Sequence, residues 1–181
     1  NKGAGPTIVD GNSAIVELVD LYPGGTVQID LKMENKGTIP AKLKSIKVEC
    51  LENQELFKLL RAQTTWKANI TGTKKNGELE KEAWAHVENA PYGPWRGLQD
   101  ALNKLVESTN TYNNGVGLII EPGGWFALGD DTEAGCISIK LDPSAGNEFQ
   151  NNTCKFKITF NWEQWTSDPN SKPYHDYGGD G

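Results

Sequence analysis

The chain has 181 residues and a formal net charge of −6, with 24 acidic against 18 basic side chains. That length suits one domain able to bury its own core; the acidity argues against a phosphate backbone as partner, and no run of about 18 apolar residues offers a membrane span. Twenty glycines, nine prolines and six tryptophans suit turn-rich β-structure better than a helical bundle.

Residues 1–13 form a small, polar, Gly-rich leader with one β-branched island, Thr7-Ile8-Val9. From Ala14 to Val19 the chain is apolar on both faces, which predicts a buried strand. Tyr22-Pro23-Gly24-Gly25 is turn chemistry, since Pro presets φ and Gly accepts a positive φ. A period-2 strand follows, with Val27, Ile29, Leu31 and Met33 on one face, and Asn35-Lys36-Gly37 closes it. Ile46, Val48 and Cys50 share the next inward face, and Leu43, out of phase with them, predicts a bulge near Ser45.

Two helices are expected within the strands. Residues 52–62 place Leu56, Leu59 and Leu60 on one stripe. Residues 94–107 place Leu98, Ala101, Leu102 and Leu105 at i, i+3, i+4, i+7, with Pro94 suited to a first turn. Trp66, Ala68 and Ile70 alternate between them, and Lys74–Lys81 reads as a charged loop. Strands are then expected over Val116–Ile120, Trp125–Leu128, Ile137–Leu141 and Phe156–Trp162. Residues 120–128 repeat the Pro-Gly-Gly corner of residues 21–29, which suits a two-sheet sandwich of related halves. The expected organisation is a leader at 1–13, an all-β sandwich with short helical insertions at 14–166, and a polar tail at 167–181.

An extracellular setting is expected. The chain starts at Asn1 without an initiator Met, as a processed or trimmed N-terminus would. Sequons at Asn69 and Asn151 offer N-glycosylation sites. Strand parity puts Cys50 and Cys154 on inward faces and Cys136 on the other, so a Cys50–Cys154 disulfide with Cys136 free is one reading; three buried thiols is the other.

Catalytic patterns are missing. His86 and His175 lie far apart, and no metalloprotease helix, nucleophile elbow, phosphate loop or Cys/His zinc spacing occurs. Asp130, Asp131 and Glu133 read as a solvated acidic loop rather than a calcium loop. The expectation is a non-enzyme with no metal and no cofactor. Trp84, Trp95 and Trp165 are candidates for stacking on sugar rings, which keeps a monomeric carbohydrate-binding sandwich as the alternative function.

Two blocks carry a likeness. Leu21-Tyr22-Pro23-Gly24-Gly25 is followed by Met33-Glu34-Asn35-Lys36-Gly37, and Gln150–Trp165 ends in Gln164-Trp165. In this order they resemble the TasA/camelysin family of extracellular biofilm-matrix proteins, which includes archaeal bundling pilins as well as bacterial fibre subunits. Residues 51–115 depart from that pattern. The resemblance implies a jelly-roll subunit at the cell surface or in a biofilm matrix, polymerising with copies of itself by donor-strand complementation, with lateral bundling left open. The donor residues would be Gly5, Pro6, Thr7, Ile8, Val9 and Asp10, since Thr7-Ile8-Val9 has no evident partner strand in its own domain. Camelysin-type members have been labelled proteases, but no protease site carries over to these residues.

Overall fold

The computed structural model describes residues 4–10, 12–69, 82–86, 94–112, 115–128 and 137–165, with 4–10 and 82–86 described by backbone alone. Two antiparallel sheets enclose one hydrophobic core. The first contains β1 (Ala4–Asp10), β2 (Ser13–Leu18), β5 (Ala41–Glu52), β9 (Ile119–Ile120) and β12 (Cys154–Gln164), in the order β1-β2-β12-β5-β9. The second contains β3 (Thr26–Ile29), β4 (Leu31–Glu34), β6 (Leu60–Asn69), β7 (Glu82–His86), β8 (Arg96–Gly97), β10 (Trp125–Leu128) and β11 (Ile137–Leu141). This is the sandwich expected from the periodicity, with helices α1 (Gln54–Phe57) and α2 (Leu98–Thr111) set among its strands.

The second sheet is built on four lines. β3 and β4 are separated only by Asp30 and run along β11 and then β10, pairing Ile29 with Ile137 and Leu31 with Leu128. β11 and β10 in turn lie along β6, at Leu60–Thr64 and Lys67–Asn69. β8 and β7 pair with β6 as well, at Arg61–Ala62 and Thr65–Asn69. The period-2 face read from the sequence is kept across Asp30: Val27, Ile29 and Leu31 are buried and Met33 partly so. Burying such alternate apolar side chains against the facing sheet is what holds the two layers together.

The repeated corners have one geometry. In each, the fourth residue's N–H donates to the first residue's carbonyl, Gly25 to Tyr22 at 2.9 Å and Gly124 to Glu121 at 2.8 Å. Pro23 and Pro122 stand at the second position, and Gly24 (φ 81°) and Gly123 (φ 86°) supply the left-handed third. That is a type II turn, which side chains other than glycine oppose there. The predicted bulge is also present, because Asn161 faces Ser45 while Trp162 faces Leu43, leaving Lys44 as the extra residue and Leu43 buried.

Several expectations on helices and strands need correction. The helix expected at 52–62 is one turn, Gln54–Phe57, and the chain becomes β6 at Leu60. Leu56 and Leu60 are both buried, so the stripe was core-facing, but from Leu60 the alternation through Ala62, Thr64, Trp66 and Ala68 is satisfied by ladders on both sides. The second helix runs over 98–111 rather than 94–107: Pro94 lies before it, β8 intervenes, and Val106 and Thr109 extend the buried stripe. Val116 is exposed and only Ile119–Ile120 of its expected strand forms.

Helix α2 closes one side of the sandwich against β5 and β6. Trp66 on β6 donates from Nε1 to Ser108 Oγ at 3.0 Å and meets Tyr112 edge-on. Gln99 reaches the free margin of β5: its Nε2 donates to Ile46 O at 2.8 Å and its Oε1 accepts from Val48 N–H at 2.9 Å. One side chain thereby does for β5 what a neighbouring strand would do, which blunts an edge open to foreign strands.

Candidate assembly site

The leader does have a partner strand in its own domain, contrary to the expectation. β1 pairs antiparallel with β2, setting Thr7 opposite Val16, Ile8 opposite Ile15, Val9 opposite Ala14 and Asp10 opposite Ser13. Pattern reading missed this because β2 looked buried on both faces, whereas Ile15 is only half-buried and β2 has an edge to offer. The register slips between Ala4 and Thr7, across Gly5-Pro6. Pro6 has no N–H to give the ladder, which suits an edge strand and a bulge. All six candidate donor residues thus lie on the outermost strand of the first sheet, joined to β2 through Gly11-Asn12 alone.

β2 is shorter than the strand it lies on. Its pairing with β12 ends at Thr159 opposite Ser13, and one more bond follows, from Phe160 N–H to Asn12 O at 2.8 Å. β12 continues to Gln164 along β5. In an antiparallel ladder alternate residues point their N–H and C=O to opposite sides. Phe160 faces β2 and Trp165 donates to Pro40 on the β5 side, so Trp162 and Gln164 present theirs where β2 has ended. Among the described residues no strand pairs with them there.

Beside this free end lies a cavity of about 400 Å³, lined by Asn12, Met33, Glu34, Ile120, Phe126 and Trp162 among others. It is the gap between β4, an outer line of the second sheet, and the exposed end of β12 in the first. Phe126 makes its floor, fully buried between Trp66 (6.3 Å between centroids) and Trp162 (5.7 Å). A second hollow of about 300 Å³ lies beyond Trp162, bordered by Ile39, Asn35 and Gln164. Asn35 stands between the two and ties the corner together. Its Nδ2 donates to Ile39 O and Ile120 O, its Oδ1 accepts from Gly37 N–H, and its main chain exchanges bonds with Gly123 and Gly124. The Asn-x-Gly turn was legible in the sequence; its bonds to the second Pro-Gly-Gly corner, far along the chain, were not.

The other candidates fall elsewhere. Cys154 is buried and Cys50 half-buried, and both are free thiols that donate to main-chain carbonyls, Cys50 to Glu52 O and Cys154 to Asn53 O. Burial is the main cause that pushes the Cys154 thiol up to about 12, with Cys50 and Glu52 adding to it. Asn69 is 1% exposed, flanked in the sheet by Glu82 and Trp125, which corrects its reading as a glycan acceptor on the folded chain. Asn151 is exposed in a turn with φ 63°. Trp95 lies under Lys140 at 4.3 Å and Trp165 under Lys42 at 5.4 Å. Lys140 is opposite Arg61 near the start of β6 and Lys42 is opposite Ile119 near the start of β5. These two tryptophans therefore sit at opposite ends of the sandwich and do not make the single flat surface that sugar stacking would use. The Trp84 and His86 side chains, Cys136, the Asp130-Asp131-Glu133 segment and His175 fall outside the described residues. Among the described residues no group of three metal-ligating side chains gathers, and no helix is long and apolar enough to cross a membrane.

No family model, no curated protein and no solved structure matches this chain.

Proposed function

We propose that this chain is the structural subunit of an extracellular filament whose copies are joined by exchange of β1. The observation that carries the reading is the relation between β1, β2 and the free end of β12. Because Asn12 already continues β2 along Phe160, a chain straightened at Gly11-Asn12 would lay Gly11, Asp10, Val9 and Ile8 opposite Asn161, Trp162, Glu163 and Gln164. β1 would then leave its own β2, and the vacated edge of β2 would be refilled by β1 of the next copy in the same register. The bonds broken in one subunit are remade between subunits, which makes such exchange inexpensive. Donor and acceptor are different surfaces, so the contact is heterologous and propagates head to tail instead of closing a dimer. The likeness of the two Pro-Gly/Asn-x-Gly and Gln-Trp blocks to matrix-fibre proteins points the same way.

Deletion of residues 1–12 tests this. The first sheet keeps β2, β12, β5 and β9, so the truncated protein should remain folded by circular dichroism and stay monomeric where the full chain forms filaments under electron microscopy. Filaments of normal length from the truncated protein would end the strand-exchange reading.

A further inference from the structure

We propose that Cys50 and Cys154 are a redox-active pair that closes into a disulfide fastening β5 to β12, with a small-molecule disulfide as the oxidant. Their backbones are diagonal neighbours in the first sheet: Phe156 faces Cys50, Lys155 faces Glu52, and the register shift between those pairs leaves Leu51 as the extra residue. The two thiols are near enough that Cys50 helps to push the Cys154 thiol up. Each is also aimed by a main-chain acceptor, Cys50 Sγ donating to Glu52 O at 3.5 Å and Cys154 Sγ to Asn53 O at 3.9 Å. Asn53 pins the place where the strands meet. It adopts φ 69°, donates from Nδ2 to Thr153 O at 3.1 Å and caps α1 by accepting Leu56 N–H on Oδ1. The sulfurs thus approach on a stiffened frame, with Phe57 packed on Phe156 beside them.

The difference in exposure orders the steps. The Cys50 thiolate, half-exposed, attacks one sulfur of the oxidant and expels the other half as a thiol, leaving a mixed disulfide on Cys50. Cys154 Sγ then gives its proton to water and attacks the Cys50 sulfur, releasing the second half as a thiol. Two cysteine thiols are oxidised and one small-molecule disulfide is reduced to two thiols, so atoms and electrons balance. Burial keeps Cys154 protonated, which suits it to the second, intramolecular step and not the first. The bond would enclose residues 51–153, a span holding α1, α2 and β6 to β11. Closing so long a loop restricts the unfolded chain more than a short bridge does.

The experiment treats the full-length protein with oxidised glutathione, then denatures, alkylates and maps it by mass spectrometry without reductant. The expected product is a peptide pair joined through Cys50 and Cys154, formed equally in Cys136→Ser. The oxidised protein should melt roughly 5–15 °C above the reduced one. Cys50→Ser, at the more exposed position, should melt like the reduced parent and lose all dependence on glutathione. Cys154→Ser should instead stop at a glutathione adduct on Cys50. Full alkylation of both cysteines after oxidation, a crosslink through Cys136, or equal melting of oxidised and reduced protein would each overturn the proposal.

Discussion

Gln99→Ala isolates the contribution of one side chain to the margin of β5. It removes both hydrogen bonds to the β5 main chain, leaving Val48 N–H and Ile46 O facing the space where the amide stood, and with them an exposed bond from Nε2 to Asn103 Oδ1, whose loss water largely offsets. A net loss of about 0.5–1.5 kcal/mol per bond gives about 1–3 kcal/mol, because the site is part-buried and water re-enters incompletely. Alanine's better helix propensity returns a few tenths of that. For a chain of this length, about 2 kcal/mol corresponds to a fall in Tm of about 4–8 °C. Urea unfolding followed by circular dichroism reads the loss, and hydrogen exchange at the Val48 amide locates it. Gln99→Glu is the companion variant. Its carboxylate still accepts from Val48 but opposes the Ile46 carbonyl, so its deficit at neutral pH should shrink on acidification, when the protonated acid can donate. Unfolding of Gln99→Ala within ~0.3 kcal/mol of the parent, with Val48 exchange unchanged, would refute the edge-capping argument.

Phe126→Ala removes the floor of the cavity beside the free end of β12, a ring stacked near Trp66 and edge-on to Trp162. A cost of about 3–5 kcal/mol is expected because the hole opens in a fully buried site, together with a shift in tryptophan emission; a loss under ~1 kcal/mol would mean the two sheets close over the gap. Asp142 supplies a pH test. Its carboxylate accepts the Ser144 N–H at 2.8 Å and the Ser144 hydroxyl at 2.7 Å, with Arg61 at 3.2 Å, and these hold it below the ordinary value of 3.8, the Ser144 N–H most strongly. A depressed carboxylate stabilises the fold above its unfolded value, and that contribution is lost as pH falls below 3.8 through the folded value. Carboxyl-detected NMR titration should therefore find Asp142 still charged at pH 3.8, and Ser144→Ala should raise its midpoint; a midpoint already above 3.8 in the parent would contradict the geometry.

Local order was legible wherever a single short rule decided it. The alternation of Val27, Ile29, Leu31 and Met33, the phase break at Leu43 and the two Pro-Gly-Gly corners each follow from steric rules that act within a few residues, and the folded chain keeps them. The stripe of Leu56, Leu59 and Leu60 was legible as core-facing but not as helix or strand, because either backbone turns those positions inward. What settled it was the presence of strands on both sides of β6, contributed by residues far along the chain. The candidate assembly site belongs wholly to that second kind of information. Thr7-Ile8-Val9 is extended by its own composition, but its seat beside β2, the overhang of β12 beyond Ser13 and the cavity over Phe126 exist only once two sheets have been stacked and their strand lengths compared. The juxtaposition of Cys50 with Cys154 across β5 and β12 is of the same sort. Parity alone turned both thiols inward, while their nearness needed the register of β5 on β12, which side-chain packing across the whole core determines.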